Sequence, residues 1–207
     1  MYAPVTKLLT FEEFLAWDDG SGREFELIDG VPVPLSEPNA NHEDLTERLC
    51  AYLESHCQDN DLPYVSRQSK QIRLKTEPGE KEKSRKADIV IFDKDEWQRM
   101  KSSSSSAAAY VPPPGAIEVV SNNWKDDYLT KLAEYEELGV LEYIIVDYAA
   151  FGGIRFIGSP KQPTIMIYQL EDGEYLPGKV FRGQDRIDSR LFPNTSLTAE
   201  QIFEMSR

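Results

Sequence analysis

Three short stretches of the chain are almost wholly apolar: residues 87–92 (ADIVIF), 116–120 (AIEVV) and 141–148 (LEYIIVDY). A half-buried strand alternates apolar and polar residues, whereas near-continuous apolar runs of this length are strands covered on both faces. A sheet with such strands at its centre needs elements packed on each side, so the chain is limited to layered folds of helices around a sheet. The remaining sequence supplies them. Thr10 and Glu13 form a capping box ahead of a helix from Phe11 to about Trp17. Phe25, Leu27, Val31, Val33 and Leu35 alternate around Asp29-Gly30, a hairpin signal. Leu45, Leu49, Tyr52, Leu53 and Cys57 recur at helical spacing from Asn41 to about Cys57, with Asn39 or Asn41 as the cap. A strand follows over residues 63–74, then a turn at Pro78-Gly79. Residues 123–138 read as a helix with Asp126 and Asp127 in its first turn and Gly139 at its end. Residues 153–183 alternate strands with Gly/Pro turns, and Thr198 caps a closing helix. The Ser/Ala run 102–109, followed by Pro112-Pro113-Pro114-Gly115, reads as a mobile surface loop. This order predicts a mixed α/β or α+β sheet with helices on its faces. It is expected to form one domain over residues 1–207, with its core at about 23–148 and further strands and a short helix over 149–207.

Charge and length narrow the function classes. With 23 basic and 36 acidic residues the net charge is −13, which argues against coating nucleic acid by bulk attraction. The charge is uneven: residues 67–86 hold eight basic and three acidic residues, so this strip is +5 and the remainder −18. Such a strip fits either a polyanion partner or a solvated hairpin of mixed charge. No apolar run of about 18 residues exists, which excludes a membrane-spanning helix, and the start MYAPVTKLLTFEEF has no apolar stretch or cleavage site of the kind a secretory signal needs, so none is expected. The chain is therefore expected in the cytoplasm. Cys50 and Cys57, seven apart on one helix, would sit about 10 Å apart, too far for a disulfide. They read as buried thiols.

Two carboxylates stand out. Asp88 opens an apolar strand and Glu118 sits in the middle of another. A buried ionised carboxylate costs several kcal/mol unless paired or bound to metal, so two of them on core strands suggest a divalent-cation site. Oxygen-only ligands select Mg²⁺ or Mn²⁺. Each acid alone is read equally well as a strand end wetted by solvent. Lys131 lies one turn from Asp127 and Tyr135 on the next helix and can aim its ammonium at the strand end that carries Glu118. Taken alone, it would be a solvated surface lysine. Glu26, in FELIDG, and His42, in the first turn of the long helix, are further candidates. His42 suits a general base, a phosphate ligand or a helix-start hydrogen bond. His56 reads as structural.

The segments FELIDGVPVPLSEPNANHEDL, ADIVIF and AIEVVSNNWKDDYLTKLAEYEELGVLEYIIVDY resemble the Uma-type restriction endonucleases of bacteria, a family of the PD-(D/E)xK nuclease superfamily. The resemblance runs from about Phe25 to Tyr148, and the tail through Phe192-Pro193 is similar as well. It implies a restriction-endonuclease-like fold, a mixed central β-sheet flanked by helices. The acid of the "PD" pair falls on Asp88, the strand glutamate on Glu118, the helix lysine on Lys131, the upstream acid on Glu26 and the histidine on His42. Two departures stand out: Ala87 replaces the proline of "PD", and Val120 occupies the position where the wider superfamily keeps its lysine. The Uma-type pattern compensates with a lysine on the helix, here Lys131.

The resemblance implies a DNA endonuclease in which Asp88 and Glu118, with a strand carbonyl, hold Mg²⁺ or Mn²⁺. Lys131 would orient the attacking water or stabilise developing charge, and Glu26 and His42 would line the same cleft. The basic strip leads into Asp88 and could guide DNA toward it. A homodimer is implied by analogy with restriction-type enzymes. Two alternatives remain open: a degenerate relative that binds nucleic acid or a protein without cutting, and an interaction domain whose acids are plain strand-end residues.

Overall fold

The structure is a computed structural model that describes residues 7–77, 79–103 and 106–207. Parts of three expectations therefore lie outside the described residues: the chain start, the turn at Pro78 and the serine run at Ser104 and Ser105.

Among the described residues nine strands form a mixed sheet flanked by six α-helices, an α+β architecture. The Thr10 capping box opens α1 (Phe11–Leu15). The Asp29-Gly30 turn joins β1 (Phe25–Ile28) to β2 (Val31–Pro34). Asn39 caps α2 (Ala40–Asp59), its side chain accepting from the His42 N–H. Then come β3 (Tyr64–Arg73), β4 (Ser84–Asp93), α3 (Lys94–Ser103) and β5 (Gly115–Val119). A π-helical turn (Asp126–Thr130) runs into α4 (Lys131–Leu138), which Gly139 ends in the left-handed region at φ 94°. The chain closes with β6 (Glu142–Asp147), α5 (Ile154–Ile157), β7 (Thr164–Glu171), β8 (Glu174–Tyr175), β9 (Lys179–Phe181) and α6 (Ala199–Glu204).

The three apolar runs are the sheet's centre, in the order β4-β5-β6, with β5 and β6 parallel and joined through α4. Their side chains divide between two apolar layers. Ile89, Ile91, Ile117, Val119, Ile144 and Val146 pack toward α2 and α6, while Val90, Phe92, Ala116, Tyr143 and Ile145 pack with Tyr128 and Tyr135 on the opposite face. Both faces are thus covered, which is why these strands carry so few polar residues. Cys50 and Cys57 are buried free thiols. Among the described residues no helix is long and apolar enough to cross a membrane.

The Ser/Ala run departs from the expected mobile loop. Its first residues extend α3, and Ala108 and Ala109 are buried, with Ala109 bonded through its backbone to Gln71 and Arg73 of β3. Small side chains fit where the segment packs against a strand.

The sheet opens at one place. β3 pairs with β4 from Ser84 to Asp93 except at Asp88, so β1 and β5 must share the other edge. β1 pairs there at Ser84 and β5 at Ile89–Ile91. Residues 85–88 between them have no strand neighbour on that edge.

Candidate active site

Backbone groups at a gap in a sheet need other partners, and two carboxylates supply them here. The Lys86 N–H donates to Glu26 Oε1 at 2.9 Å, and the Val119 N–H donates to Asp88 Oδ2 at 2.7 Å. A cavity of about 520 Å³ opens over the gap, lined by Glu26, His42, Asp88, Glu118 and Lys131 together with Asp126, Asp127 and Arg85. All five residues singled out from the sequence therefore line one cavity.

Asp88 extrapolates in register to Glu118 on β5 and stands opposite Ser69 on β3, in a row that crosses the cavity floor. Ser69 is the one residue of β3 whose pairing lapses, and it holds φ at 53°, a left-handed conformation rare for serine in a strand. From α2, His42 Nε2 lies 2.9 Å from the Val119 carbonyl and 3.3 Å from Asp88 Oδ2. Both neighbours are acceptors, which assigns the ring proton to Nε2. In this arrangement His42 is a donor that ties Asp88 to β5, while its Nδ1 is buried without a hydrogen-bond partner among the described residues. Burial pulls its pKa down, but the hydrogen bond and charge of Asp88 outweigh this and leave it above the usual value.

Glu118 is 1% exposed. Its Oε1 accepts from the Tyr135 hydroxyl at 2.8 Å, and its Oε2 lies 3.0 Å from Lys131 Nζ. The same ammonium is 3.0 Å from Asp127 Oδ1. Lys131 is 8% exposed, so its charge is held almost out of water between two carboxylates. The π turn makes this possible. The Lys131 N–H reaches back to the Asp126 carbonyl, and the Asp127 carbonyl accepts instead from the Tyr143 hydroxyl of β6 at 2.9 Å. A side chain inserted into the helical ladder widens the turn, and Asp127, Tyr128 and Lys131 all come to lie buried.

These groups carry surplus negative charge. Burial pulls the Lys131 pKa down, but Glu118 and Asp127 more than reverse this and hold it charged above the ordinary lysine value. Burial raises the Glu118 and Asp127 carboxyls despite Lys131, and the Asp88 charge raises both further. One ammonium cannot balance three carboxylates, of which Glu118 is the most deeply buried.

Beside this cluster Arg85 is a second buried cation. Its guanidinium grips Glu134 through Nε (2.6 Å) and Nη2 (3.2 Å), and its Nη1 reaches Glu26 (2.9 Å) and Asp126 (3.4 Å). It thus ties β4 to β1 and to the helix on both sides of Lys131.

The basic strip is not a free cationic track. Arg67 pairs with Glu54 at 2.8 Å and lies over the Trp97 ring, Arg73 pairs with Glu82 at 2.6 Å, Lys83 with Asp29 at 3.4 Å, and Lys86 with Glu24. The strip is a hairpin of mixed charge. Eight carboxylates line the cavity against Arg85, Lys86 and Lys131, and all three cations are already ion-paired.

Asp127, Tyr135 and Arg85 are the members of the site that sequence reasoning did not single out. Asp127 had one available signal, its i,i+4 spacing from Lys131. Among the described residues no three His, Cys, Asp or Glu side chains form a ready metal cage. The donors present are the Asp88 and Glu118 carboxylates and the Val119 carbonyl, an all-oxygen set with surplus negative charge that fits a hard divalent cation.

A family model described as "Uma2: Putative restriction endonuclease" matches residues 11–200, and the chain belongs to this family. The fold is similar to a solved structure titled "Crystal structure of a putative nuclease belonging to DUF820 from Anabaena variabilis ATCC 29413". The two share 15% identity and a TM-score of 0.71 over 96% of this chain and 99% of that one. No curated protein matches the chain.

Proposed function

We propose that the chain is a Mg²⁺- or Mn²⁺-dependent DNA endonuclease that hydrolyses phosphodiester bonds. The observation that carries this reading is the Lys131 ammonium, buried between Glu118 and Asp127 at 3.0 Å from each, in one cavity with Asp88. Lysine is rarely buried, and a buried cluster with more carboxylates than cations costs the fold stability, which supports a functional role for it.

Asp88, Glu118 and the Val119 carbonyl would hold the cation, which when bound neutralises phosphate charge and makes a water acidic enough to attack at neutral pH. Lys131 presents a fixed positive charge to a phosphate oxygen. Because the site is shielded from water, that charge acts more strongly there than it would at the surface. Asp127 and Glu118 hold the ammonium in place, and Tyr135 holds Glu118. His42 fixes Asp88 against β5. Glu26 caps the Lys86 N–H and pairs with Arg85, so it acts as a positioning residue beneath the cavity.

A second reading, a degenerate relative that keeps the fold without cutting, is favoured by one observation. Both Glu118 oxygens already have partners within the protein. Calorimetric titration of Mg²⁺ or Mn²⁺ into the protein and into Asp88→Ala and Glu118→Ala variants, each then incubated with plasmid DNA, separates the two readings. Metal binding and nicking by the parent protein alone support the nuclease. Metal binding without nicking supports the degenerate relative, and no metal binding by well-folded protein overturns the metal-dependent reading.

A further inference from the structure

We infer that the surface built by Trp124–Lys125 and the 151–161 loop, not the β3–β4 hairpin, carries the backbone of duplex DNA toward the cavity. The inference rests on the nuclease reading. In a chain of net charge −13, four cations gather here: Lys125, Arg155, Lys161 and Arg182. Among the described residues none of the four forms an ion pair, whereas the cations of the cavity and most of those of the hairpin do. The carboxylates nearby are satisfied mainly by other groups. Asp147, fully buried, accepts from the Phe151 and Gly152 N–H groups at 2.8 and 2.7 Å and from the Tyr128 hydroxyl at 3.3 Å, with Lys161 adding a longer-range attraction, and Asp185 accepts from the Arg182 N–H at 2.9 Å.

Contacts place these four cations together and at the cavity mouth. The Arg155 guanidinium lies 4.3 Å from the Phe156 ring centre, and Lys125 Nζ lies 5.9 Å from that of Trp124. The two rings are 6.4 Å apart, and Arg182 Nη2 donates to the Phe156 carbonyl at 3.4 Å. Lys161 donates to the Phe151 carbonyl at 3.1 Å. Trp124 directly follows Asn123 of the cavity wall, and on the other flank the Tyr148 hydroxyl donates to Asn39, also of that wall.

The chemistry specifies the occupant. The Phe156 ring stacks on Tyr128 at 4.6 Å and carries the Arg155 guanidinium, and the Trp124 ring packs edge-to-face against both aromatics, so the rings hold positive charge in place rather than serving as a base-stacking platform. Fixed, unpaired cations beside a water-shielded site suit a row of phosphates, and such contacts position a duplex without reading its sequence.

The test is the salt dependence of binding of a short fluorescein-labelled DNA duplex, followed by anisotropy, with Ca²⁺ replacing Mg²⁺ so that the duplex is not cut. Each phosphate contact contributes about 0.9 to the slope of log affinity against log salt, so a Lys125→Ala/Arg155→Ala/Lys161→Ala variant should lose about 2.7. Each single variant should lose about 0.9. The hairpin variant Lys70→Ala/Lys75→Ala/Lys81→Ala should keep the parent slope. An unchanged slope in the loop variant, or a loss confined to the hairpin variant, overturns the inference while leaving the nuclease reading intact. A parent protein that neither binds nor nicks DNA overturns both.

Discussion

Replacing Arg85 by methionine tests whether the gap beside β4 is held by charge. Arg85 is 7% exposed and serves three carboxylates, of which Glu26 is 5% exposed. Methionine keeps much of the side-chain volume but leaves Glu26 buried with, among the described residues, only the Lys86 N–H as hydrogen-bond partner. Breaking a buried ion pair by removing one member costs about 3–5 kcal/mol. Glu134 and Asp126, with side chains about a quarter exposed, regain water and add little. The expected loss is therefore about 3–5 kcal/mol, carried mainly by Glu26. Adding Glu26→Gln removes the stranded charge, so the double variant should recover at least about 1–2 kcal/mol of that loss. Urea unfolding followed by far-ultraviolet circular dichroism measures both. An Arg85→Met variant within about 1 kcal/mol of the parent, or a double variant no more stable than the single, would refute the reasoning.

Three further outcomes follow from particular residues. Ser69→Gly should stabilise the fold by about 1 kcal/mol in urea unfolding, because glycine adopts positive φ without strain. Glu118→Gln should bind Mg²⁺ at least about tenfold more weakly by calorimetry, since it removes one of two anionic ligands. Cys57, pushed up to about 11 by burial and then by Glu54, should react slowly with iodoacetamide at pH 8 until the protein unfolds. Because its unfolded value is 9.0, the fold should lose stability as pH rises from that value through about 11, with no contribution from this group below.

Much of the sheet was legible because its strands are buried on both faces, and an apolar run bounded by turn residues says so directly. The capped helices were legible because Thr10, Asn39 and Thr198 act within three residues of their own positions. Asp88 and Glu118 stood out because charge in an apolar stretch is costly, and Lys131 because it lies on the next helix, able to aim at the strand end that carries Glu118. What was hidden depends on distant partners. Asp127 reads as an ordinary first-turn acid, and only the Tyr143 hydroxyl reaching across from β6 reveals the π turn that buries it. Arg85 reads as one cation of a strip, because its partners come from β1 and from the helix 41 to 49 residues further on. The helix α3 carries one buried residue, Met100, too few to give an apolar period. Lys125, Arg155, Lys161 and Arg182 are scattered in sequence and meet only in the fold.

The most direct test of the account is the rate of supercoiled plasmid nicking by the parent protein and by Lys131→Met, in Mg²⁺ and in EDTA, with folding of both verified by circular dichroism. The account predicts nicking by the parent in Mg²⁺ alone and a rate at least about 100-fold lower for Lys131→Met, as for loss of a charge that stabilises the transition state. Nicking by Lys131→Met at the parent rate, or none by a well-folded parent across Mg²⁺ and Mn²⁺, would contradict it.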